Sequence, residues 1–145
     1  METIPQNIKL SVPFFMVTDM EISLKFYLDG LGFKLANQWA PRGKIEWCWL
    51  TRDAVAIMLQ QPRVPNAEQS GPRGAGVTIC HQCVDALALY HEFKQNGLSL
   101  AEPFVGNNMW VVSVKDPDGY RLEFESPTDV AEETAYGDWI KENQL

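Results

Sequence analysis

Apolar and polar positions along the chain follow two periods, one typical of strands and one typical of helices. Short apolar runs predict strands at 10–17, 33–39, 45–50 and 54–60. Between the first two runs, helical spacing predicts a helix from Met20 to Asp29, with Asp19 as its N-cap. The segment 61–75 is rich in proline and glycine, which indicates a linker.

The same order of elements returns after the linker. The pattern predicts a strand at 77–83, a helix at 84–95, and further strands that begin at 98, 109 and 120. An ungapped offset of 65 residues aligns identical residues in the two halves: Val12 with Val77, Gly32 with Gly97, Leu35 with Leu100, Ala36 with Ala101 and Asp53 with Asp118. The chain therefore reads as two β-α-β-β-β units, at 9–60 and 76–126, joined by a linker.

Composition narrows the function classes. The 145 residues suit one domain, or two very small ones that share a core, and 46% hydrophobic residues are enough to bury that core. A net charge of −7 argues against a nucleic-acid partner, and no apolar run is long enough to span a membrane. The three cysteines and the first ten residues, which lack a secretory signal pattern, favour a cytoplasmic protein with reduced thiols.

The last segment, 127–145, differs in charge from the rest of the chain. It carries five acidic residues and one lysine. Its apolar residues Val130, Tyr136, Trp139 and Ile140 indicate a short amphipathic helix that docks on the body of the protein. We therefore expect an acidic helical tail outside the two units.

Two motifs carry a family resemblance. The segments Phe26-Tyr27…Leu31-Gly32-Phe33 and Asp116-Pro117-Asp118-Gly119-Tyr120-Arg121-Leu122-Glu123-Phe124 sit at matching places in the doubled unit. With these motifs the chain resembles the vicinal oxygen chelate superfamily, which includes glyoxalase I, extradiol dioxygenases and bleomycin resistance proteins. The resemblance spans 10–126 and implies an α+β fold. In that fold two βαβββ modules form a curled mixed sheet around a cleft, commonly completed in a homodimer.

The resemblance also implies where a metal would bind. Metal-dependent members place ligands at four points that correspond here to Val12, Met58, Val77 and Glu123. Only Glu123 offers a donor suited to a divalent ion, whereas such sites need three or four. We therefore predict no metal and no other cofactor, as in the bleomycin-resistance-like branch.

Strand alternation predicts the residues that line the cleft, because side chains of one parity share a face. A two-residue turn at Arg52-Asp53 would place both neighbouring tryptophans on that face, and Trp110 joins them only if the second hairpin keeps the same register. A bulge at the Asp-Pro-Asp-Gly turn would shift that register. The predicted ligand-binding residues are Phe14, Met16, Trp47, Trp49, Met58, Ile79, His81, Trp110, Arg121, Glu123 and Glu125.

Each polar candidate has an alternative structural interpretation. Glu123 fits a cation anchor, a general base or a ligand, and equally a buried carboxylate satisfied by Arg121. His81 fits a general base, but a single histidine on an apolar strand is more typical of a hydrogen-bonded core residue. Cys80 and Cys83 lie three apart on a strand, so their thiols point to opposite faces and do not chelate one ion.

Two hypotheses of function follow. The first is a metal-free homodimer that sequesters a small organic molecule, planar or cationic, because aromatic walls, carboxylates and negative charge suit such a ligand. The alternative is an enzyme of the superfamily, a lyase, isomerase or dioxygenase-like protein. It would use Glu123 and His81 as acid and base, or a relocated metal site.

Overall fold

The computed structural model describes residues 4–64 and 73–144, which contain two modules of the same design. The first module consists of β1 (Phe14–Met16), α1 (Met20–Leu24), which continues as π-helical turns (Lys25–Gly30), β2 (Lys34–Trp39), β3 (Trp47–Arg52) and β4 (Val55–Gln60). The second consists of β5 (Thr78–Gln82), α2 (Ala86–Gln95), β6 (Phe104–Gly106), β7 (Met109–Lys115) and β8 (Arg121–Pro127). A last helix, α3 (Tyr136–Asn143), follows them.

Each module forms its own four-stranded mixed sheet. The strand orders are β1-β4-β3-β2 in the first sheet and β5-β8-β7-β6 in the second. In each sheet the first strand runs parallel to the last strand of the module, and the other neighbours are antiparallel. This topology confirms the predicted α+β fold with two βαβββ modules. The strands form two separate sheets, however, and not the single curled sheet that the resemblance implies.

The two helices begin in the same way and differ by one residue in length. Asp19 caps α1 by accepting from the backbone N–H groups of Glu21 and Ile22, as predicted, and Asp85 caps α2. These caps lie 66 residues apart, whereas Gly32 and Gly97 after the helices lie 65 apart. The first module holds the extra residue in its π-helical turns, because a π turn takes up one residue more than an α turn. The ungapped offset of 65 is therefore wrong for the first strands.

The two β-hairpins that end the modules also differ in length. Arg52 pairs with Val55, so two residues close the first hairpin, and Met58 faces Trp49 where the sequence predicted Trp47. In the second hairpin Lys115 pairs with Arg121, and five residues form the turn. This longer turn shifts β7 relative to β8, which is the shift that the Asp-Pro-Asp-Gly motif allows.

One hydrophobic core joins the modules. Its largest fully buried side chains include Tyr27, Leu31 and Leu50 from the first module and Phe93 and Leu122 from the second. Burial of these side chains supplies most of the free energy that holds the modules together.

Polar and aromatic contacts tie the second hairpin turn to the first module. The Tyr27 hydroxyl donates a hydrogen bond of 2.9 Å to the buried carboxylate of Asp116. The Tyr120 hydroxyl donates to the backbone carbonyl of Met16 (2.9 Å), and its ring stacks on Phe15 with 4.1 Å between centroids. Each sheet therefore turns one face to the shared core and leaves its other face open.

The C-terminal helix packs on the second module. Trp139 and Tyr136 contact Trp110 edge-on, with ring centroids 5.4 and 5.9 Å from it. The Tyr136 hydroxyl also lies 3.0 Å from Nε2 of His91 on α2. Among the residues that the structure describes, no helix has the length and apolar character to cross a membrane.

Candidate functional site

The open face of the first sheet is aromatic. Strand alternation buries Phe15, Cys48 and Leu59 in the core and turns their neighbours outward. We call this surface the aromatic face; it consists of Phe14, Met16, Trp39, Trp47, Trp49 and Met58. Phe14 is 45% exposed and Trp39 49% exposed, so the face presents a contiguous apolar surface of the kind that marks binding sites.

The open face of the second sheet is charged. Its residues form three rows across β5, β8 and β7, because each row joins directly paired residues. We call this surface the charged face; its rows are Thr78–Arg121–Lys115, Cys80–Glu123–Ser113 and Gln82–Glu125–Val111. The predicted residues Arg121, Glu123 and Glu125 therefore share one face, with cations at one end and carboxylates at the other.

Three predicted residues lie on the opposite side of the second sheet. Ile79 and Trp110 pack on the core side, Trp110 with only 5% exposure. The His81 ring stacks on Phe124 with 4.4 Å between centroids. The expectation that Ile79, His81 and Trp110 share a face with Glu123 is wrong.

His81 has the environment of a core histidine. Its Nδ1–H donates to the backbone carbonyl of Glu123 at 2.9 Å, and 7% of the residue is exposed. Burial lowers the pKa of His81, so the imidazole is neutral at pH 7. The carboxylate of Glu123 projects to the other side of the strand, so the two side chains do not form an acid–base pair.

The first-strand offset explains which residues the sequence missed. Because β5 follows an offset of 66, Cys80 takes the place opposite Glu123 that Phe14 takes opposite Met58. Thr78 and Cys80 therefore face outward where the sequence predicted Val77 and Ile79. The two aspartate caps, 66 residues apart, are the signal that identifies this shift.

The shift brings together three side chains with metal-binding atoms. The Cys80 thiol and the Glu123 and Glu125 carboxylates place donor atoms within 4.8 Å of one another. The sequence-based count of one donor is therefore wrong for this neighbourhood. Partial burial and the adjacent Glu125 raise the pKa of the Cys80 thiol to about 11, so the thiol is protonated near neutral pH. A protonated thiol is a poor ligand, because metals bind the thiolate.

A cavity of about 320 Å³ opens on the charged face. Its lining includes Thr78, Ser113, Lys115, Arg121 and Glu123. Three other cavities, of about 430, 390 and 230 Å³, are lined by residues of 19–64 alone. Within the described part of one chain, none of these four cavities combines the aromatic face with the charged face.

Comparison with protein families settles what this fold belongs to. The family model of the glyoxalase/bleomycin resistance protein/dioxygenase superfamily matches residues 9–124. The chain belongs to this superfamily. That match confirms the resemblance seen in the two sequence motifs, and it covers both modules up to Glu123 on β8. A search of curated protein sequences finds no significant match.

Solved structures of the superfamily have the same fold. UcmS2 superposes with a TM-score of 0.68 at 18% identity, over 83% of this chain and 98% of that one. TnmS3, described as an antibiotic binding protein from Streptomyces sp. CB03234, gives a TM-score of 0.62 at 19% identity, over 85% and 100%. A glyoxalase/bleomycin resistance protein/dioxygenase from Nocardioides gives 0.62 at 17% identity, over 88% and 89%.

Proposed function

We propose that this superfamily member binds a planar organic cation, without a metal, between the aromatic face of one chain and the charged face of a second copy. The observation that carries the proposal is the exposed aromatic face beside an equally open face with Glu123 and Glu125. Tryptophan rings attract planar cations, and a carboxylate fixes the charge of such a ligand. TnmS3, a structural relative, is described as an antibiotic binding protein, which supports a ligand of this size.

The donor atoms of Cys80, Glu123 and Glu125 favour a second candidate. An enzyme of the superfamily could hold a metal there, displaced from the four points implied by the family. The pKa of the Cys80 thiol and the lack of a charged donor on the aromatic face weigh against this candidate. Metal analysis distinguishes the two.

We expect a homodimer, because two open faces in one chain leave a large apolar surface that a second copy would cover. Sedimentation at micromolar concentration should show a species of about twice 16.4 kDa. Trp39→Glu places a charge on the aromatic face and should dissociate this species. Val84→Glu is the control, because Val84 is fully exposed outside both faces and its replacement should leave the dimer intact. A wild-type monomer would contradict the proposed interface.

The binding proposal is tested with proflavine, a planar cation at neutral pH, and acridine, its neutral analogue of similar shape. We expect proflavine to bind at least about tenfold more tightly, since charge-assisted contacts to a carboxylate form with the cation alone. Fluorescence anisotropy of each dye gives the two dissociation constants. Treatment with EDTA should leave both constants unchanged, and elemental analysis should find well under one transition metal per chain. Close to one zinc per chain, with binding lost in EDTA, would instead support the enzyme.

A further inference from the structure

Two positive charges face each other on the charged face. Lys115 on β7 and Arg121 on β8 are direct partners in the antiparallel pair, on the same side of the sheet as Glu123. Like charges at directly opposed positions destabilise a pair of strands. The fold therefore maintains an unfavourable contact at the end of the face farthest from Glu125.

Neither cation is neutralised by the part of the chain that the structure describes. No carboxylate of these residues lies within 4.0 Å of Lys115 or Arg121, and neither side chain donates a hydrogen bond to them. The two carboxylates lie in the next rows, where Glu123 faces Ser113 and Glu125 accepts from the Gln82 amide at 2.6 Å. Positive and negative groups are thus separated into neighbouring rows.

The cations border space that a ligand group can enter. Lys115, Arg121 and Thr78 line the cavity of about 320 Å³, with Glu123 at its other end. An ammonium group, a guanidinium fork and a hydroxyl are donors that together suit the oxygens of a carboxylate or a phosphate. Residues two apart along a strand are about 7 Å apart, so Arg121 and Glu123 hold opposite charges at about that separation.

We infer that Thr78, Lys115 and Arg121 form an anion subsite, and that the ligand of this protein is zwitterionic. Its anionic oxygen group lies between Lys115 and Arg121, and its cationic group lies beside Glu123. The cationic half rests on the proposed function, whereas the anion subsite rests only on the second module. The shared chemistry of the anion is that of a carboxylate or a phosphate.

Inorganic phosphate is the first probe, with the full-length protein labelled for NMR. The amide signals of Thr78, Lys115 and Arg121 should shift and saturate as phosphate is added. Lys115→Gln and Arg121→Gln should each weaken this binding about tenfold or more, since each removes a charge-assisted contact. Lys141→Gln removes an exposed lysine of α3 and should leave the phosphate affinity unchanged. Shifts that do not saturate, or that persist in both variants, would overturn the subsite.

Acetate in a parallel titration identifies the class of anion, because the better-suited group saturates the same signals at lower concentration. The zwitterionic ligand is tested by adding phosphate to the protein saturated with proflavine. Proflavine should stay bound or bind more tightly, whereas its displacement by phosphate would contradict one ligand with both charges. Phosphate binding without proflavine binding would refute the proposed function and leave the anion subsite standing, so the two failures are distinguishable.

Discussion

Replacing Glu123 with glutamine should weaken the binding of proflavine about ten- to hundredfold and leave that of acridine nearly unchanged. Glu123 occupies the middle row of the charged face, and no cation of the described residues pairs with it within 4.0 Å. A charge-assisted hydrogen bond to a ligand there contributes roughly 1.5–3 kcal/mol, and about 1.4 kcal/mol corresponds to a factor of ten. Titration of wild type and variant with both dyes measures the effect.

Glu142→Gln provides the matched control for this prediction. It removes the same charge from the exposed surface of α3 and should change neither dissociation constant. Equal losses of proflavine affinity in both variants would assign the effect to net charge and not to contact with Glu123. Equal losses for proflavine and acridine in Glu123→Gln would show that the residue supports the shape of the site and does not anchor a cation.

Replacing Asp116 with alanine should lower the free energy of unfolding by about 3 kcal/mol, because it leaves buried donors without an acceptor. The Asp116 carboxylate is 5% exposed and accepts from the Tyr27 hydroxyl and the backbone N–H groups of Asp118 and Tyr120. Urea denaturation measures the change. Asp138→Ala, on the exposed side of α3, should cost much less.

Asp116→Asn separates the carboxylate's charge from its role as an acceptor. Burial raises the pKa of Asp116, so the folded state prefers the protonated acid. The stability from this preference is fully present below the ordinary pKa of an aspartate and is lost as the pH rises through the raised pKa. The asparagine variant keeps an acceptor oxygen and lacks this decline, so it should be more stable than Asp116→Ala at pH 7. Equal losses in both variants would contradict this account.

The order of the elements and the aromatic face follow from the sequence alone. Period-two alternation places Phe14, Trp47, Trp49 and Met58 on one side of the first sheet, and the structure confirms that placement. The first hairpin keeps this result although its pairing differs by two residues from the prediction. A shift of two preserves the parity of every side chain.

The second sheet was harder to predict because odd shifts reverse the side on which residues lie. One residue stored in the π-helical turns moves β5 relative to the repeat, and the five-residue turn moves β7 relative to β8. These two shifts exchange His81 for Cys80 and Trp110 for Val111 on the charged face. Alternation alone contains no signal of either event, whereas the spacing of the two helix caps does.

The five tryptophans of the chain divide into two groups with different surroundings. Trp39, Trp47 and Trp49 lie on the open aromatic face, whereas Trp110 and Trp139 are in contact beneath the C-terminal helix. Intrinsic emission therefore contains two reporters in one unlabelled chain. A molecule at the aromatic face acts on the first group, and release of the C-terminal helix acts on the second, so single-tryptophan spectra can time the two events independently.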